Sequence, residues 1–185
     1  MTTTIKSDAS GNFGALQVNG ADVVKFDATG IILGAGRRLA QIVTYSTGAV
    51  ATGTTLLPFD NTIPQSTEGD QYLSLAITPQ NSASILEITI VAMLASSVVN
   101  NVTLALFQDS AVSSLAASTM LLGIADGIVA ISLNHILTIG TTSTTTFKVR
   151  GGGSFAGTTT LNGVAGIVRF GGILSSRIII KEYLP

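Results

Sequence analysis

An all-β fold, an antiparallel jelly roll or β-sandwich of eight to nine strands preceded by a short β-hairpin or meander arm, is what this sequence predicts. Three observations carry that expectation. Strand-like runs recur about every ten residues from Arg38 onward, separated by Gly, Ser, Thr, Asn and Pro. The runs 84–95 and 102–108 place apolar residues at every second position, the period of a strand rather than a helix. The last segment, Arg177-Ile178-Ile179-Ile180-Lys181-Glu182-Tyr183-Leu184, is rich in β-branched residues and suits a strand that closes a sheet.

The chain divides into an N-terminal arm, 1–37, and a jelly-roll body, 38–185. The arm is set apart by its small punctuating residues, Gly11, Gly14, Asn19-Gly20, Gly30, Gly34 and Gly36. Asn19-Gly20 can supply the two positive φ angles of a type I′ turn between Leu16-Gln17-Val18 and Val23-Val24-Lys25-Phe26, so a hairpin is expected there. Asp27-Ala28-Thr29-Gly30 then turns the chain into Ile31-Ile32-Leu33. Strands this short hold no core alone, so the arm is expected to anchor or assemble the chain by packing on other subunits. Phe13, Leu16, Val18, Val24 and Phe26 are the residues that would seat it.

In the body, strands are expected at 39–46, 54–59, 71–78, 84–95, 102–108, 128–139, 145–150, 164–170 and 177–184. In 84–95 the residues between Leu86, Ile88, Ile90, Ala92 and Leu94 include Ile85, Val91 and Met93. Both faces of that strand therefore read as covered, one by the opposite sheet and one by a neighbouring subunit. The run 102–108 reads as half-exposed. Residues 110–120 mix Ala and Leu with Ser and Thr and read as a strand with a loop. The triple Gly151-Gly152-Gly153 reads as a wide turn after 145–150.

Composition narrows function. Hydrophobic residues are 46% of the chain and charged residues only 10%, against roughly 25% charged in an average soluble domain. The mean hydropathy is +0.56. A surface with so few charges points to an obligate oligomer whose apolar faces meet copies of themselves. A net charge of −1 gives no basic field for nucleic acid. No apolar run reaches the ~20 residues of a membrane helix, and the N-terminus has no secretory apolar core, so neither membrane insertion nor a signal peptide is expected. Cysteine is absent, which removes disulfides, thiolate metal sites and catalytic thiols.

Candidate chemistry is sparse. The single histidine, His135, stands in the apolar run 131–139 with no Ser-centred elbow or orienting acid nearby, and reads as a structural or interface residue. Asp60, Glu68 and Asp70 share one loop-like segment, but their spacing matches no calcium loop, which needs six or more oxygen ligands. A sugar-cleaving pair of carboxylates would have to come from these acids or from Glu87, which sits in a strand that reads as buried. Arg37-Arg38 reads as a solvated hinge or an ion-pair donor between arm and body. No enzyme activity, no metal and no cofactor are expected.

The order of several short segments resembles a known family. Leu39-Ala40-Gln41-Ile42-Val43-Thr44-Tyr45-Ser46 is followed by Leu75-Ala76-Ile77-Thr78-Pro79-Gln80-Asn81-Ser82-Ala83-Ser84-Ile85-Leu86-Glu87-Ile88. Then come Leu106-Phe107-Gln108-Asp109-Ser110, Thr144-Thr145-Thr146-Phe147-Lys148-Val149-Arg150 and Ser176-Arg177-Ile178-Ile179-Ile180-Lys181-Glu182-Tyr183. This order resembles phage tail-fibre and tail virion proteins that end in a trimeric jelly roll of the tumour-necrosis-factor or C1q kind. The resemblance implies a homotrimer located in the virion. Its other partners would be tail or major capsid proteins and a host surface receptor. A compact body with a short arm and no shaft suits a capsid decoration or cement protein equally. For the oligomer interface the expected residues are Phe147 and Tyr183, as aromatics near the threefold axis, with Ile85, Val91 and Met93 on the outward face of their strand.

Overall fold

The computed structural model describes residues 37–185 in full and, before them, the backbone of four strands, β1 (Thr3–Lys6), β2 (Ala15–Val18), β3 (Ala21–Asp27) and β4 (Gly30–Leu33). These four form one antiparallel sheet in chain order, with Val18 opposite Ala21 and Asp27 opposite Gly30. The Asn19-Gly20 turn and the anchor candidate Phe13 lie outside the described residues. Leu16 and Val18 stand in β2, and Val24 and Phe26 in β3, with Leu16 opposite Val24 in register.

The body is built from β5 (Arg38–Thr47), β6 (Ala51–Gly53), β7 (Asp70–Ile77), β8 (Ile85–Ser96), β9 (Asn100–Gln108), β10 (Ala116–Leu122), β11 (Ile128–Thr138), β12 (Thr145–Gly153), β13 (Thr159–Leu161), β14 (Gly163–Val164), β15 (Ile167–Val168) and β16 (Ser176–Leu184). One sheet runs β5-β16-β8-β11, with β13 and β6 continuing beside the far end of β8. The other runs β10-β9-β12-β7. Counting only the eight long strands in chain order, the first sheet reads first, eighth, third, sixth, and the second reads fifth, fourth, seventh, second. That interleaving is a jelly roll, and the expected all-β fold is the one observed.

The period-2 pattern of β8 explains the core. Leu86, Ile88, Ile90, Ala92 and Leu94 are buried, while the alternate residues from Ile85 to Met93 are only half-buried. The buried set packs with Ile178 and Ile180 of β16 against Leu73, Val102, Leu104, Leu106, Phe147 and Val149 of the other sheet. Two buried asparagines satisfy the backbone at one end of the sandwich. Asn162 donates to Thr47 O at 2.8 Å and Ala49 O at 3.1 Å and accepts from Ser176 Oγ at 2.7 Å. Asn100 accepts from Ser154 Oγ and Phe155 N, both at 3.0 Å.

Four expectations need correction, and one feature accounts for three of them. Residues 54–59 are not a strand. Thr55 N and Oγ1 both donate to the Asp70 carboxylate at 2.9 Å, and Leu57 N donates to Gly153 O at 3.0 Å, so the backbone of this segment is satisfied outside any ladder. The segment begins a strap, 54–69, that crosses the outer face of the second sheet and drives Leu57 against Ala105 and Phe107. For that reason β9 is buried on both faces rather than half-exposed, with Thr103, Ala105 and Phe107 under or beside the strap. Gly151-Gly152-Gly153 is likewise no turn; it is the end of β12, paired with Leu104, Thr103 and Val102. A Cβ at Gly152 would lie 2.6 Å from Thr55 O and 3.1 Å from Leu57 N, so the glycine makes room for the strap. The fourth correction is 164–170, where positive φ at Ala165, Gly166 and Phe170 (50°, 73° and 49°) breaks a continuous strand into the small β14–β15 hairpin and a 3-10 turn.

Gly152→Val is therefore expected to lift the strap and cost about 3 kcal/mol. Thermal denaturation reads the loss, and limited proteolysis should find new cleavage within 54–69. A variant as stable and as protease-resistant as the parent would show that the strap can yield.

Candidate assembly face

The outer face of the first sheet is built by register. Pairing of β5, β16, β8 and β11 aligns the rows Leu39–Tyr183–Ile85–Thr138, Ile42–Lys181–Glu87–Ile136, Thr44–Ile179–Thr89–Asn134 and Ser46–Arg177–Val91–Ser132, and beyond them Met93–Ala130. A bulge between Glu182 and Tyr183 keeps Tyr183 level with Leu39. Leu39, Ile42 and Ile136 are 46%, 52% and 64% exposed, whereas Ile85, Val91, Met93, Ile179 and Tyr183 are half-buried.

Charge on this face is confined to Arg177 and one pair. Lys181 Nζ lies 3.3 Å from Glu87 Oε2, and the Tyr183 hydroxyl donates to the same oxygen at 2.9 Å. The Tyr183 hydrogen bond, then that of Lys181, holds the Glu87 carboxyl below its usual range. The same hydrogen bond to Glu87, with burial, pushes the Tyr183 phenol up. Glu87 is thus on the outside of the sheet, not in the core, and its charge is already answered within the chain. Such an exposed pair contributes little to monomer stability. Its value lies in letting an apolar face carry a carboxylate without an unpaired charge.

Four strands at ~4.8 Å and nine residues at ~3.3 Å give a face of roughly 19 by 30 Å. Nine of its eighteen positions are apolar, and Thr, Ser, Asn and the charged residues hold the rest. A sheet face with these residues can be buried against neighbouring copies of the chain.

The structure separates the expected interface residues. Tyr183, Ile85, Val91 and Met93 share this one face. Phe147 does not; it is fully buried between the sheets, in the inward series with Val149, and has no surface left for a partner. Sequence reasoning missed Leu39, Ile42, Ile136 and Ile179 as members of the face. Their signal was present as apolar residues on the outer side of alternating strands, but only the register of β5 and β11 beside β16 and β8 brings them together.

The other candidates stand apart. His135 is opposite Ile88, on the inward face of β11, half-buried at the rim. Asp60 and Glu68 of the strap each close a local turn, and Asp70 at the start of β7 holds the beginning of the strap. Asp60 accepts from Thr62 N and Oγ1, and Thr62 holds its carboxyl below the usual range. Glu68 accepts from Gln65 N, and Asp70 from Thr55. Among the described residues no three His, Cys, Asp or Glu side chains converge as metal ligands, and no helix is long and apolar enough to cross a membrane. Arg37 donates to Ala83 O at 3.4 Å.

Fold and face together define a jelly-roll body whose outer sheet gathers large apolar side chains around one internal ion pair. Searches against family models find no match, and none is found among curated proteins. Solved structures give distant likenesses. Eiger TNF from S. frugiperda is 9% identical over 76% of this chain and 92% of that one, with a TM-score of 0.46. The infectious bursal disease virus VP2 subviral particle is 11% identical over 92% and 47%, with a TM-score of 0.33. The carbohydrate-binding module CBM36, in complex with calcium and xylotriose, is 13% identical over 76% and 98%, with a TM-score of 0.32. The jelly-roll assignment rests on the strand order and pairing of this chain itself.

Proposed function

We propose that this chain is a non-enzymatic structural subunit of a bacteriophage virion, a homotrimeric appendage of tail-fibre or tail-associated type, assembled through the outer face of the β5-β16-β8-β11 sheet. The observation that carries the reading is that face. It gathers eight large apolar side chains, and its one carboxylate is paired within the chain. The low overall charge supports the same reading, since the surface lacks the ionic coat that keeps monomers apart. In this reading the arm, 1–37, joins the body to other virion proteins and the body reaches a host surface.

Ile42→Glu and Ile136→Glu test it. Both residues are more than half exposed, so a charge there costs the isolated chain little, while a row of carboxylates brought together at a symmetric interface is strongly unfavourable. In light scattering after size exclusion the parent is expected at an oligomeric mass and each variant at the monomer mass, with unchanged far-UV circular dichroism. Variants that keep the parent's mass would remove this face from the interface. Copy number in purified particles then separates a tail appendage from a capsid decoration protein, which would use the same face in a far more abundant subunit.

A further inference from the structure

On the opposite side of the sandwich, the strap and the loop after β9 enclose a pit of about 160 Å³. Its walls include Ser66 of the strap, Ser110 of the loop, and Lys148 and Arg150 of β12. Lys148 and Arg150 are two positions apart on one strand, so both leave the outer face of the sheet. Each is half-buried and each spends hydrogen bonds on backbone carbonyls. Lys148 Nζ donates to Asp109 O at 2.7 Å. Arg150 Nε donates to Glu68 O at 2.8 Å and Nη2 to Gly69 O at 2.7 Å.

Carbonyls accept hydrogen bonds but cancel no charge. Among the described residues no carboxylate oxygen lies within 4.0 Å of Lys148 Nζ or of the Arg150 guanidinium, in contrast to Lys181 with Glu87 on the other sheet. Asp109 also lines the pit, but its carboxylate is taken by Thr145 Oγ1 and Thr146 N, both at 2.7 Å. Two cations and one committed carboxylate leave the pit net positive in a chain whose net charge is −1. Lys148 retains two N–H donors and Arg150 three, beside two serine hydroxyls.

We propose that this pit is an oxyanion-binding site that takes the carboxylate, sulfate or phosphate group of a larger ligand or a free ion of that kind. The volume admits such a group and excludes a whole nucleotide or a peptide segment. Charged donors fixed by their own carbonyl bonds are pre-set for an anion. On the same side of the sandwich, where the strap meets the outer face of β9 and β10, a second hollow of about 190 Å³ is lined by Phe59, Asp60, Thr62, Ser118 and Thr119. Phe59 is 62% exposed there. An exposed ring beside a carboxylate and hydroxyls is the chemistry that holds a sugar, so an acidic saccharide is one source of the oxyanion to be tried. The site lies on the sheet opposite the proposed assembly face and stays open in an assembly built through that face. It does not depend on the assembly being formed.

The test is a titration of the full chain, followed by amide NMR shifts, with inorganic phosphate, trigalacturonate and, as neutral control, maltotriose. Shifts are expected at Ser66, Ser110, Lys148 and Arg150 with phosphate or trigalacturonate and none there with maltotriose. Binding should weaken as sodium chloride rises from about 20 to about 300 mM. Lys148→Met is expected to weaken it at least tenfold and Lys148→Arg to restore it, with melting temperatures confirming that both variants fold. Tighter trigalacturonate binding identifies a saccharide-borne oxyanion, and equal or tighter phosphate binding a free ion. No anion-dependent shift in the pit, or binding that Lys148→Met leaves unchanged in a folded chain, overturns the proposal.

Discussion

Phe147→Ala is expected to lower the stability of the single folded chain by about 3–5 kcal/mol, the cost of deleting a buried phenylalanine and leaving a cavity. The ring is fully enclosed in the cluster shared by both sheets, next in the inward series to Val149. Against a total stability of about 5–15 kcal/mol for a typical domain, this is enough to bring a marginal body near unfolding. Because the ring belongs to the core of one chain, the loss should be the same in the Ile136→Glu background, where the proposed assembly is broken. Urea denaturation of both backgrounds measures it. A substitution that left the isolated chain as stable as before and only dissociated an oligomer would return Phe147 to an interface.

Glu182→Ala is expected to cost about 2–3 kcal/mol, because it strips a fully buried acceptor from donors that remain enclosed. Glu182 lies at the inward side of β16, and its carboxylate accepts from Gln41 Nε2 of β5 and from Gln80 N, at 2.8 Å, in the β7–β8 loop. It ties the closing strand of the jelly roll to the first strand and to that loop. Burial works to raise its pKa, yet the hydrogen bonds from Gln41 and from the backbone of Gln80 and Asn81 outweigh burial and hold it below 4.5.

With the folded value depressed, the unfolded chain binds the proton more readily. The stabilisation is complete above about pH 4.5 and is lost as pH falls through the depressed folded value. Glu182→Gln keeps an acceptor and removes the titrating group. Its melting temperature relative to the parent should therefore be lower at pH 7 and approach the parent's at pH 3. A difference independent of pH would mean that the carboxylate charge does not contribute.

Much of the sandwich could be read from the sequence because it follows from a local rule. Alternation places Leu86, Ile88 and Ile90 on one side and Ile85, Glu87 and Val91 on the other, whichever strands lie beside them. The same rule ran out where partners, not period, decide exposure. Residues 102–108 alternate like a half-exposed strand, yet the strap buries the outer set. Phe147 and Tyr183 are both aromatic residues on strands, and nothing local distinguishes the ring that fills the core from the ring that joins the outer face.

The candidate face was legible in part. Ile85, Val91 and Met93 were marked by being apolar on the side away from the core, and Tyr183 by its place in the closing strand. Ile42 and Ile136 were not, since they come from strands 94 residues apart in the chain that meet only through β16 and β8. The pit was not legible at all. Lys148 and Arg150 read as ordinary polar positions of a strand until the strap closes over them.

By itself, then, the sequence determined an all-β chain of alternating strands with little charge and a glycine-punctuated arm, because strand period and turn chemistry act over a few residues. Only the tertiary structure decided what each exposed-looking position touches. Register and strand order join residues far apart in the chain, and the cost of burying or freeing a side chain is set by those neighbours. For this protein those neighbours put the apolar rows of β5, β16, β8 and β11 on one face and the unneutralised cations of β12 under the strap.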